Sequence, residues 1–401
     1  MTELGLLPEE WEVARMGDYC NVHSGYAFKS QDFCEGGILV VKIGNLQNDT
    51  VVIDNRTSFF PSEKVSEYLR KFILEKDNVL IALTGATTGK IAVVPEKFEG
   101  ALLNQRVGKI AVFNECLHSS FSRFYFTTKE FQEKIKENIL QSAQGNVSPK
   151  QIENIRIPLP PLPEQQKIAK VLSTVQDAKE KTDAVITATK ELKKSLMKHL
   201  FTYGHVSLEE AENVPRKETE IGLVPEEWDV KPLIAIATLQ RGKDLPKQKQ
   251  IRGLYPIVGS SGILGYHNEP ACVGPGVVTG RSGSIGKLTY VEKDYWPHNT
   301  GLYVKNFHDN IPKFIYYLLH LLDFKKYATG VSVPTLNRNF IHSALLSLPP
   351  LLEQRRIASI LSAVDEKIEK EETKKKSLEE LFKTLLTILM TGKLRVNHLE
   401  V

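Results

Sequence analysis

Apolar residues recur along this chain at two periods. From Glu164 to Leu200 they return every three or four residues. Ile168, Val171, Val175, Ala178, Thr182, Val185, Thr189, Leu192 and Leu196 fit the a and d positions of a heptad. A second stripe runs through Ile357, Leu361, Val364, Ile368, Leu378, Phe382, Leu385 and Leu389. The spacing predicts two long helices, the first roughly 55 Å at 1.5 Å per residue. A lone helix would leave such a seam in water, so the two are expected to pair as an antiparallel coiled coil. The middle of the second, "EKIEKEETKKK", reads as a solvated face or a docking surface for a partner. Elsewhere the apolar runs are short and bounded by Gly, Asn and Asp: "GILVVKI", "NVLIAL", "KIAVV", "GVVTG" and "KLTYV". These predict strands. Further helix is expected at Ser119–Ile139 and Pro312–Tyr327.

The pattern is written twice. "GLLPEEWEV" (Gly5–Val13) returns as "GLVPEEWDV" (Gly222–Val230). "ALTGATTGKIAVV" (Ala82–Val94) has an echo in "VVTGRSGSIGKLTYV" (Val277–Val291). "AQGNVSPKQIENIRIPLPP" matches "ATGVSVPTLNRNFIHSALLSLPP" in outline, and each ends in a helix start, "LPPLPEQQKIAKVLS" or "LPPLLEQRRIASILS". Repeats in the same order indicate duplication. The expected fold is α+β: two globular mixed α/β domains separated by the two helices, with an internal pseudo-twofold repeat. The first domain covers 1–158 and the first helix 159–205. A linker follows at 206–221, then the second domain at 222–347. The second helix and tail take 348–401.

Composition narrows this little. The 401 residues carry a net charge of +4. The charge is unevenly spread: the first block has 18 basic and 20 acidic residues, the second 14 and 9. There is no apolar run long enough for a membrane span and no secretory signal pattern. Four scattered cysteines without a CxxC pair suit a reduced, cytoplasmic chain.

Catalytic patterns fail on inspection. "TGATTGK" has only three residues between its glycines, and Ile91 follows Lys90, so it is no nucleotide-binding P-loop. The ten histidines are dispersed, without metal-ligand spacing, and no GxSxG elbow occurs. The glycine-rich loops do offer backbone N–H groups beside polar side chains, a phosphate-holding arrangement. Thr84, Thr87 and Lys90, and Thr279, Arg281, Ser282, Ser284 and Lys287, are the candidate phosphate contacts. The competing reading is a pair of tight turns.

The ordered set resembles the specificity (S) subunit of type I restriction-modification systems. The two Pro-Glu-Glu-Trp segments carry the likeness, with "TGATTGK", "TGRSGSIGK", "WPHNTGLYV", "GVSVPTLN" and both Pro-Pro helix starts. The resemblance covers nearly the whole chain. It implies a non-catalytic chain with two target-recognition domains, each reading half of a bipartite double-stranded DNA sequence. It also implies docking of two methyltransferase (M) subunits. S-adenosylmethionine, ATP and Mg would belong to partner subunits, which can include restriction (R) subunits, and no cofactor to this chain. The acidic first block departs from the charge expected of a DNA-binding face. If two such domains share phosphate contacts and differ in base contacts, the bases are read by the divergent stretches. Asn45, Gln47 and Asn48 suit adenine edges, and Lys29, Lys42, Arg241 and Lys243 suit guanine. The rival reading is a helical scaffold that binds protein partners rather than DNA.

Overall fold

The computed structural model describes residues 6–140, 145–330 and 334–396. Parts of "AQGNVSPK" and of "GVSVPTLN", with Met1–Gly5 and 397–401, lie outside the described residues. The chain divides into two compact units. The first runs to Thr182 and resumes at Lys374, and the second is Asp183–Thr373.

In the first unit one sheet has the order Cys20–Ser24, Val107–Val112, Val79–Ala82, Ile91–Val93, Thr50–Val51, Leu46–Gln47. A smaller sheet joins Ser58–Phe60, Ile38–Val41 and Leu102–Leu103. The second unit repeats the frame. Thr238–Arg241, Gly301–Asn306, Gly276–Gly280 and Leu288–Val291 form its main sheet, and Gly262–His267, Tyr255–Gly259 and Trp296–Pro297 the smaller one. In both, the third strand of the small sheet pairs in parallel with the second, Val40 with Leu102 and Ile257 with Trp296. The first unit inserts a hairpin, Leu46–Gln47 with Thr50–Val51, where the second turns directly at Ser260 and Ser261. Asn48 and Asp49 (φ +51° and +59°) form its two-residue turn.

Where one helix was expected over Ser119–Ile139, two form, Ser119–Phe126 and Lys129–Leu140. Thr128 divides them, since its hydroxyl accepts the Phe131 N–H and caps the second helix. In the second unit the helix from Pro312 ends at Leu319, and a separate 3-10 turn covers Phe324–Tyr327.

The long helices are Leu162–Tyr203 and Leu351–Met390, 42 and 40 residues, or roughly 63 and 60 Å. In the first unit Ile168, Ala169 and Leu172 share a buried core with Leu389 and Met390. In the second, Leu200 and Phe201 share one with Ile357, Ala358 and Leu361, and Lys190 and Lys193 pair with Glu372 and Asp365. Within each unit the two helix segments therefore run antiparallel. The seam departs from the strict heptad: Leu172 and Ile186 are buried, while Val185 and Leu192 are exposed. A straight helix drifts from a seven-residue repeat, and the globular contacts at each end set the buried face instead.

The doubled Glu-Gln has a structural answer. Glu164 and Glu353 each accept the indole N–H of the tryptophan from their own unit, Trp11 at 3.0 Å and Trp228 at 2.9 Å. Gln165 and Gln354 each donate to the first proline carbonyl of the Pro-Pro pair, Pro160 or Pro349. Each also accepts an amide at the start of a short helix, His118 or Ile311. Arg395 adds a guanidinium to Glu164, 2.6 Å from Oε1, and also reaches Glu10.

Candidate nucleic-acid interface

Backbone register aligns the two units residue by residue. The Leu83 amide bonds the Arg106 carbonyl, and the Arg281 amide bonds the Thr300 carbonyl. Val147 then bonds the Leu83 carbonyl as Leu336 bonds that of Arg281. Leu83 thus corresponds to Arg281, and Ile81 to Thr279. Pairing agrees, because Ile81 faces Ile91 and Thr279 faces Leu288. The shared landmark is Gly-Lys at the end of the loop rather than Thr-Gly at its start. Thr279 is only 1% exposed because it occupies a core position, and its hydroxyl has no partner among the described residues. The hydroxyls of Thr84 and Thr87 are likewise enclosed without a partner there.

The rest of the second loop is open. Ser284 and Lys287 are exposed and Ser282 half-buried. Lys287 Nζ donates to the Ser261 carbonyl at 2.6 Å, which ties this loop to the Ser260–Ser261 turn. The loop and the divergent Gly259–Asn268 hairpin are therefore neighbours. Arg241, Lys243 and Arg281 line one open cleft of about 730 Å³, together with Gln240, Asp244, Asn337 and Arg338. Asp244 accepts from Asn299 and stands 3.7 Å from Arg241. Sequence reading missed Asn337 and Arg338. Asn337 caps the helix Arg338–Ile341, and the motif "GVSVPTLN" stops one residue short of that arginine.

In the first unit the candidates are dispersed. Asn45 is 3% exposed and spends its amide within the fold, accepting from the Lys42 N–H and donating to the Val52 carbonyl and Thr57 hydroxyl. The Lys42 ammonium donates to Ser58 at 2.6 Å and lies 3.8 Å from the Phe33 ring centroid. Burial lowers its pKa. Gln47 Nε2 donates to the Gly44 carbonyl. Lys29, Asn48 and Lys90 are exposed. Among the described residues no cluster of three or more His, Cys, Asp or Glu could hold a metal ion, and no helix is long and apolar enough to cross a membrane.

The two units share a frame built twice, with matched supports and differing exposed rims. The profile of the type I restriction modification DNA specificity domain matches residues 8–188 and 225–380, and the chain belongs to this family. It is a specificity subunit with DNA target-recognition domains, the non-catalytic member of such systems. It is 24% identical over 442 residues to the type I restriction enzyme MjaVIII specificity subunit of Methanocaldococcus jannaschii, covering 98% of this chain and 95% of that one. Identity to the EcoBI specificity subunit of Escherichia coli is 26% over 243 residues, 58% of this chain and 48% of that one. The fold matches that of the M. genitalium type I S subunit with a TM-score of 0.67 at 18% identity, over 97% of this chain and 99% of that one.

Proposed function

We propose that each unit of this chain reads one half of a bipartite double-stranded DNA target. The observation carrying this reading is the repeated frame, in which Trp11–Glu164 and Trp228–Glu353 recur while the exposed rims diverge. Invariant support with a variable edge is what two readers of different half-sites need. Two methyltransferase subunits dock on the chain and bring S-adenosylmethionine, and restriction subunits, where the system includes them, add ATP and Mg chemistry. The long helices act as the spacer between the two readers. The test is methylome sequencing of a host expressing this chain with its methyltransferase subunit. The expected motif has two specified blocks separated by unspecified bases. A single uninterrupted motif would refute the reading.

A further inference from the structure

The two units differ in side-chain charge beside the glycine-rich loop. Register fixes the correspondence there position by position. Ser24 and Arg241 occupy the same place, facing Gly108 and Leu302. Tyr26 and Lys243 make the same parallel bridge, to Asn104 and His298. Leu83 matches Arg281 through the paired amide bonds given above. Pro149 and Arg338 are the first residues of the short helices capped by Ser148 and Asn337. Four cations in the second unit thus replace serine, tyrosine, leucine and proline in the first. Leu83 is 4% exposed, so that position is closed core rather than rim. The second cleft holds one carboxylate, Asp244, which Asn299 and Arg241 already engage. It is therefore strongly positive, and this fits the excess of basic residues in the second block.

Resting on the functional reading above, we infer that the second unit supplies the electrostatic hold on the DNA backbone through Arg281 and Arg338, while Arg241 and Lys243 beside them meet base edges. The first unit reads its half of the target mainly through uncharged groups. A duplex is a dense line of phosphates, and each one neutralised releases counterions, so the hold appears as salt dependence. An aromatic and hydroxyl rim such as Tyr26 and Ser24 contributes contact without that dependence.

The test uses the full chain assembled with its methyltransferase subunits, and filter binding to a random-sequence duplex and to the methylome-derived duplex across a salt series. Arg281→Ala and Arg338→Ala should each reduce the slope of log affinity against log salt by about 0.9. Arg281→Lys should keep the slope, which separates loss of charge from loss of fold. Arg106→Ala and Lys64→Ala, exposed cations of the first unit with no assigned base contact, should leave the slope near that of the parent. Equal flattening by the first-unit variants, or none by Arg281→Ala and Arg338→Ala, overturns the inference alone. A parent complex that binds neither duplex overturns the functional reading beneath it.

Discussion

In the first unit the amide of Val22 is held by the carboxylate of Glu153 at 2.9 Å. In the second unit the corresponding amide, Leu239, is held by the imidazole Nε2 of His342, also at 2.9 Å. The bond and its place in the sheet are the same, but the acceptor has changed. The second-unit cleft shows the larger version of this substitution, with four cations where the first unit has serine, tyrosine, leucine and proline. Duplication has kept backbone contacts and left side-chain chemistry free wherever the backbone does not depend on it.

Changes to the shared frame should hurt both units alike. A Cβ on Gly25 would lie 2.2 Å from the Leu103 carbonyl oxygen, and one on Gly242 would lie 2.1 Å from that of His298. Gly25→Ala and Gly242→Ala should each cost about 3 kcal/mol, read from urea midpoints. Clearly unequal losses would break the equivalence. Next comes Arg395→Met, which strands the 3%-exposed Glu164. The expected loss is about 2 kcal/mol, below the roughly 3–5 of a fully buried pair, because the arginine side chain keeps 27% of its surface exposed. The described residues place no such cation on Glu353, so this sensitivity belongs to the first unit.

Lys243→Ala should weaken binding about tenfold on duplexes with an intact second half-site, a typical figure for one base contact. It should change little once that half-site is scrambled, and an equal loss on scrambled DNA would make Lys243 a phosphate contact instead. Ser148→Ala and Asn337→Ala remove equivalent caps and should cost about 1 kcal/mol each in thermal or urea denaturation. The smallest effect is a pH response. Burial first, then the charge of Arg338, lowers the His342 pKa. The folded state therefore binds fewer protons than the unfolded state below the ordinary histidine value of about 6.5. The stability from this site is complete above that pH and falls as acidification protonates the ring. His342→Gln should flatten the denaturation midpoint between about pH 7 and about pH 5.5, whereas a parent-like slope would point to other groups.

Much of the frame was legible because local patterns encode it. The Pro-Pro pairs, the tryptophan segments and the long apolar stripes each mark an element by a short local pattern, although their packing partners lie far along the chain. Register was not legible. "NQRVGKI" and "HNTGLYV" are structural counterparts with little in common, because a strand position constrains backbone pairing more than residue type. The Thr-Gly echo misled for the same reason, since it aligned Thr84 with a threonine that does the work of Ile81. Asn45 had a base-reading composition, but a turn needed its amide. Of the interface, Arg241, Lys243 and Arg281 did converge, and Arg338 had no repeated partner in the first half to mark it.

Leu389, Met390 and Val396 complete the core of the first unit, and Arg395 answers a glutamate 231 positions earlier. A ribosome therefore releases residues 6–182 well before that core has all its parts, while Asp183–Thr373 emerge with theirs in hand. On a nascent chain the second unit should reach its native packing first, although it is made later. The first must wait, exposing Ile168 and Leu172 to chaperones or to premature partners until Leu389, Met390 and Val396 have emerged.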